Sequence, residues 1–154
     1  MQFQERLFSC GPAAVRAALY VLGHNNISEA TLRRRAGTTP EGTNEQGLMR
    51  AIRSFNHKPK EYQSESRRAS WSWLKTCLSK GKPVLLCVDQ WDHWVAAVGT
   101  LGGKVLIFDP GIPPGRRKKY SGLEIYNEQE LHPRWGYEDE DTDKTIFYGV
   151  SITY

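Results

Sequence analysis

The sequence predicts an α+β fold in two layers, with N-terminal helices packed on a C-terminal antiparallel sheet. Three observations predict it. Helical apolar spacing recurs through roughly the first 80 positions, the apolar runs after that are short and β-like, and Gly102-Gly103 separates two of those runs so closely that they should pair as a hairpin.

Residues 10 to 22 form the most apolar helix, with Ala13, Ala14, Val15, Ala17, Ala18, Leu19 and Leu22 in its body and Pro12 in its first turn, where a missing N–H costs nothing. Cys10 therefore stands at a helix N-terminus. His24 follows Gly23 just past the other end, a place where histidine caps terminal carbonyls. Ser28 and the run Thr43-Asn44-Glu45-Gln46 are N-cap signals for helices over residues 28 to 36 and 44 to 55. A fourth helix covers residues 70 to 80 and carries Trp71, Trp73 and Cys77. Strands follow over residues 84 to 89, 93 to 101, 104 to 109 and 146 to 153. His57 and His132 lie in polar stretches that read as loops. No repeat, low-complexity segment or linker interrupts the chain, so residues 1–154 are expected to be one domain.

The chemistry concentrates at one end of that sheet. A thiolate is a good nucleophile and a thiol a poor one, so a catalytic cysteine needs positive charge nearby. The N-terminus of a helix supplies some, about 0.3 to 2 kcal/mol for an anion, and an imidazolium supplies more. His93 heads the apolar strand Trp94-Val95-Ala96-Ala97-Val98, and Asp109 ends the run Val105-Leu106-Ile107-Phe108. Counted outward from the turn, His93 is nine residues before Gly102 and Asp109 six after Gly103, so both fall at the same end if a bulge or a side-by-side offset takes up the difference.

Composition bounds the alternatives. Three cysteines with no close pair make neither a disulfide framework nor a zinc site, no cofactor is expected, and a needed free thiol points to a reducing compartment. No charged leader with an apolar segment opens the chain and no run reaches the ~18 apolar residues of a membrane span, so a soluble, cytoplasmic protein is expected. Residues 1–137 hold 20 Lys/Arg against 12 Asp/Glu and residues 138–154 one against five. The basic runs Arg33-Arg34-Arg35 and Arg116-Arg117-Lys118-Lys119 read as solvated faces, partly answered by Glu138 to Asp141, rather than as a nucleic-acid footprint. The second run also stands close enough after Asp109 to flank a cleft and favour an acidic peptide.

Taken in order, Gln4, five residues, Cys10-Gly11-Pro12-Ala13-Ala14, then Gly81-Lys82-Pro83-Val84-Leu85-Leu86-Cys87-Val88, His93-Trp94-Val95, Gly99 and Asp109-Pro110 closely resemble the papain-like cysteine peptidases of the bacteriocin-processing, double-glycine-leader type. The resemblance covers residues 2 to about 111. It implies that Cys10 is the nucleophile, His93 the general base and acid, Asp109 the residue orienting the imidazole, and Gln4, with the Cys10 N–H, the oxyanion hole. It also implies a narrow slot for Gly or Ala beside the scissile bond. Trp91 and Trp94 are the candidate lining residues, Trp91 because it sits in the polar loop Asp89-Gln90-Trp91-Asp92. Two departures stand out: Ser9 replaces the aspartate that leader peptidases commonly carry before the cysteine, and no attached transporter is expected.

The expected activity is thus that of a free-standing cysteine peptidase, cleaving a peptide or isopeptide bond of a peptide or protein substrate through a thioester. Acyl transfer at the same site, and a non-catalytic peptide-binding module of the same fold, are the alternatives.

Overall fold

The computed structural model describes residues 1–111 and 121–154. The elements run α1 (Cys10–Val21), α2 (Glu29–Ala36), α3 (Glu45–Arg53), β1 (Lys58–Ser64), α4 (Arg67–Ser79), β2 (Val84–Val88), β3 (His93–Leu101), β4 (Lys104–Phe108), β5 (Leu123–Tyr126), α5 (Glu128–Trp135), β6 (Tyr137–Asp139) and β7 (Lys144–Thr153). One antiparallel sheet, in the order β1-β7-β2-β3-β4-β5 with β6 added to β7, holds them together.

The expected helices and strands form, within a few residues at their ends. Ser28, Asn44 and Ser66 cap α2, α3 and α4 by accepting from Thr31, Gly47 and Ala69 amides, and Gly37 ends α2 in the left-handed region at φ 68°. The β3–β4 hairpin turns on Gly102 and Gly103, both at positive φ. Its register shifts between Ala97 and Gly99, leaving Val98 as the extra residue of a bulge. That bulge takes up one residue of the offset: Phe108, the end of β4, pairs with Ala96, three residues into β3.

The helices are not confined to one face of the sheet. On one side Leu19, Leu32, Leu48 and Ile52 of α1 to α3 pack on Leu85, Ala96, Phe108 and Val150. On the other, Leu74 and Leu78 of α4 and Leu131 and Trp135 of α5 pack on Leu86, Val95, Ile107 and Phe147. The two-layer expectation is corrected accordingly: the sheet is covered on both sides. Burial on both faces is why β2, Val-Leu-Leu-Cys-Val, is an unbroken apolar run.

Four elements escape the sequence pattern. Edge strand β1 is polar and contains Pro59, as suits a strand with one side unpaired. β5 and β6 are three or four residues long, and α5 is eight residues with Pro133 inside it. Two histidine expectations change with them, those for His132 and His24, while His57 does lie in a loop, between α3 and β1. His132 lies in α5 rather than a loop. His57 is buried, and its Nε2 stands 2.7 Å from Nε2 of His24. The His24 ring therefore pairs with His57 instead of capping α1, and its backbone N–H takes the Leu19 carbonyl at 2.9 Å.

α2 and α3 touch through Gly47, where an added Cβ would lie 2.2 Å from the Ala36 carbonyl oxygen. Within a helix, glycine to alanine ordinarily stabilises by about 1 kcal/mol. Here the clash is with backbone and reverses the sign, so Gly47→Ala should destabilise by about 1 to 3 kcal/mol in urea unfolding; a stabilised variant would show that the two helices can part.

Candidate active site

Cys10, His93 and Asp109 meet where α1 begins, β3 begins and β4 ends. Nε2 of His93 lies 2.7 Å from Asp109 Oδ1, and Cys10 stands near enough to the same imidazole to act on its pKa. With Nε2 taken by the carboxylate, Nδ1 is the ring atom left for sulfur. Burial alone would lower the imidazole pKa, but the hydrogen bond to Asp109, the interaction with Cys10 and their negative charges overcome it and raise it to about 10. No side chain caps α1, so its N-terminal amides stay directed at the space around Cys10.

Asp109 is held on every side. Its Oδ1 also accepts from the Gly111 amide at 2.9 Å, its Oδ2 accepts from Arg134 Nη2 at 3.2 Å, and its own amide donates to the Gly122 carbonyl at 2.8 Å. Burial would raise its pKa; the His93 hydrogen bond and charge, the Gly111 amide and Arg134 together lower it. Gly111 is required sterically, because a Cβ there would stand 2.8 Å from His93 Cε1.

Arg134 was not legible from the motif. It reaches in from α5, donating to both carboxylate oxygens of Asp89 at 3.0 and 2.8 Å and to the Tyr126 hydroxyl at 2.8 Å as well as to Asp109. The Asn127-to-Glu130 capping box that starts α5 was the available signal for that helix. Residues 134–138 also brace the loop before His93, in which Asp89, Gln90 and Trp91 are all left-handed at φ 55°, 57° and 61°. The Gln90 amide pairs with the Glu138 backbone, and Trp91 stacks on Tyr137 with centroids 3.9 Å apart.

Gln4 is tied to the same corner. Its backbone N–H donates to the Pro110 carbonyl at 3.1 Å, and its side-chain Nε2 donates to the Arg6 and Leu7 carbonyls at 2.7 and 3.2 Å. Ser9 is fully buried, and its hydroxyl accepts from the Arg6 amide and lies 3.1 Å from Glu29 Oε1. Glu29, fully buried at the start of α2, also accepts from the Glu5 amide at 2.9 Å and pairs with Arg33. A carboxylate therefore does stand beside the residue before the cysteine, supplied from another helix.

Trp91 and Trp94 line one cavity of about 350 Å³ together with Thr43, Cys87 and Tyr148. Trp91 is 43% exposed and Trp94 7%. Cys77 and Cys87 are buried, and all three cysteines are free. Burial, with the charge on Cys10 and Glu45 adding to it, pushes the Cys87 thiol up to about 12. Arg33 and Arg35 are engaged with Glu29 and Ser54, while the run 116–119 lies outside the described residues. Among the described residues no group of His, Cys, Asp and Glu could hold a metal ion, and no helix is long and apolar enough to cross a membrane.

Comparison with known proteins places these features. A family model described as the Peptidase C39 family matches residues 1–129. The peptidase domain of Streptococcus ComA, a bifunctional ABC transporter of a quorum-sensing pathway, is similar at TM-score 0.65 and 18% identity over 96% of this chain and 95% of that one. A double glycine motif protease from an AMS/PCAT transporter, solved with a leader peptide, gives 0.63 and 19% over 96% and 88%. A C39-like peptidase from Bacillus anthracis gives 0.64 and 12% over 100% and 94%. A comparison with curated proteins finds no match. At these identities the likeness establishes the fold: the α+β, papain-like fold of C39 peptidase domains.

The His93–Asp109 pair makes stability depend on pH in a defined window. The raised His93 pKa contributes stability in full below the ordinary 6.5, lost as pH climbs toward about 10; the lowered Asp109 pKa contributes above the ordinary 3.8, lost in acid. Asp109→Asn keeps an acceptor and removes the charge. Its melting temperature should fall furthest below wild type between pH 4 and 6.5 and approach it toward pH 10; a gap that is constant with pH would rule out the ion pair as its source.

Proposed function

Because the chain belongs to the peptidase C39 family, a family of cysteine peptidases, we propose that it cleaves peptide or isopeptide bonds after small residues such as glycine. The observation that carries this reading is the imidazole of His93 bonded to Asp109 at 2.7 Å with Cys10 close enough to raise its pKa.

In this proposal the Cys10 thiolate attacks the carbonyl carbon, and the oxyanion is held by the Cys10 N–H and the Gln4 amide. Gln4 Nε2 serves by turning its longer contact, the 3.2 Å one to Leu7, toward the oxyanion. His93 gives its proton to the leaving amine, then takes one from the water that hydrolyses the thioester. Asp109 keeps the imidazole in register throughout, and Arg134 keeps Asp109 charged. Trp91 and Trp94 flank the peptide. The double glycine motif and the leader peptide of the AMS/PCAT relative support a peptide substrate with a Gly-Gly step. A reducing compartment, the cytoplasm, suits three unpaired cysteines. Action as a single free-standing domain is part of the proposal, and the intact mass of the native protein reads it out.

Two measurements test the chemistry. Iodoacetamide near pH 6 should alkylate Cys10 rapidly in the wild type and slowly in His93→Ala; equal rates would exclude a thiolate–imidazolium pair. Intact-mass analysis of Gly-Gly peptides should show cleavage that Cys10→Ala abolishes and Gln4→Ala slows by about a hundredfold. Product that appears only with an added amine or thiol would assign acyl transfer instead. Slow alkylation in the wild type, with no product from any peptide, would leave the binding-module reading.

A further inference from the structure

We infer that the cavity bounded by Trp91, Trp94 and Tyr148 is a subsite for a basic side chain, lysine or arginine, of the peptide presented to Cys10. The inference rests on the peptidase reading for its substrate and on the cavity's own walls for its selectivity.

The cavity adjoins the nucleophile from both sides. Trp94 follows His93 in β3, and its indole N–H donates to the Thr43 carbonyl at 3.4 Å. The Thr43 side chain in turn lies 3.5 Å from where a Cβ on Gly11, the residue after Cys10, would be. A side chain entering here thus belongs to a residue near the bond being cleaved.

The walls suit a long cation. The volume, about 350 Å³, admits one extended side chain. Trp91 is an exposed aromatic held rigidly, in a left-handed loop and flat against Tyr137, so its face is presented without further ordering. Two carboxylates complete the lining, Glu45 from the first turn of α3 and Glu61 from β1. Burial raises the pKa of the Tyr148 hydroxyl, and the nearby charges of Glu61 and Glu45 add to that rise. Neither carboxylate forms an ion pair with a lysine or arginine among the described residues, although the chain carries 21 basic residues. Aromatic faces over two unanswered carboxylates recognise a guanidinium or ammonium group and repel an acidic side chain.

The test uses the full chain carrying Cys10→Ala, so that peptides are bound and not consumed, with tryptophan fluorescence as the readout. Gly-Gly peptides carry arginine at each flanking position in turn, each matched by a twin with the neutral isostere citrulline and one with glutamate. At one position arginine should bind about tenfold more tightly than citrulline, and glutamate more weakly than either. The preference should shrink at about 0.5 M NaCl and vanish in Glu45→Gln/Glu61→Gln, whose affinity for the citrulline twin and whose melting temperature should match the parent. Equal binding of arginine and citrulline at every position would overturn the subsite, as would a preference that survives the double variant. Either result would leave Cys10 alkylation, and so the enzyme reading, untouched. Loss of rapid alkylation with arginine selectivity intact would do the reverse.

Discussion

The site depends on Asp109 remaining charged in a place where burial opposes charge. An isolated carboxylate there would take up a proton and leave His93 without its counter-ion. Its charge is retained because three donors converge on it: the imidazole, the Gly111 amide and Arg134. Each donor imposes a condition on the chain. The imidazole needs the Val98 bulge, which moves the end of β4 one residue along β3 toward His93, the amide needs a residue without Cβ over the histidine ring, and the guanidinium needs α5 against the far face of the sheet. The geometry of the candidate site and tertiary packing are here one constraint.

Arg134 joins that carboxylate to a strained loop. Left-handed backbone costs about 1 to 2 kcal/mol per residue outside glycine, somewhat less for aspartate, and three such residues occur in succession at 89–91. Bidentate pairing of Arg134 with Asp89, the amide ladder between Gln90 and Glu138, and the Trp91–Tyr137 stack offset this cost. All of these partners lie beyond residue 129, where the family match ends. The part of the chain after residue 129 thus completes the candidate site by fixing the loop that delivers His93 and Trp91, though it contributes none of Cys10, His93 and Asp109.

Legibility in the sequence followed range of interaction. The helix that opens at Cys10, the capped helices α2 and α3, and the hairpin at Gly102-Gly103 are set by neighbours in sequence, and each stands close to where periodicity and turn chemistry put it. The pairing of His93 with Asp109 was accessible by counting from that turn, because antiparallel register propagates from the hairpin. Arg134 was not, since what makes it matter is an approach across the sheet by a short helix interrupted by Pro133. β1 was hidden for the opposite reason: an edge strand has little apolar surface to bury and so little pattern to show. His24 and His57 looked independent because nothing local brings together residues 33 apart.

The replacement at position 9 shows how a charge can move between elements and keep its effect. Ser9 is too short and neutral to anchor the turn by itself, yet its hydroxyl and the Glu5 amide converge on Glu29 Oε1, and Arg33 balances the other oxygen. A buried carboxylate with such partners is costly to disturb, because removing any one leaves the others unsatisfied. The turn it fixes runs from Gln4 to Cys10, and Gln4 is pinned at its other end to the Pro110 carbonyl, next to Asp109. Sulfur, side-chain amide and imidazole are therefore positioned from one continuous frame, so that a serine at position 9 is compatible with the same chemistry.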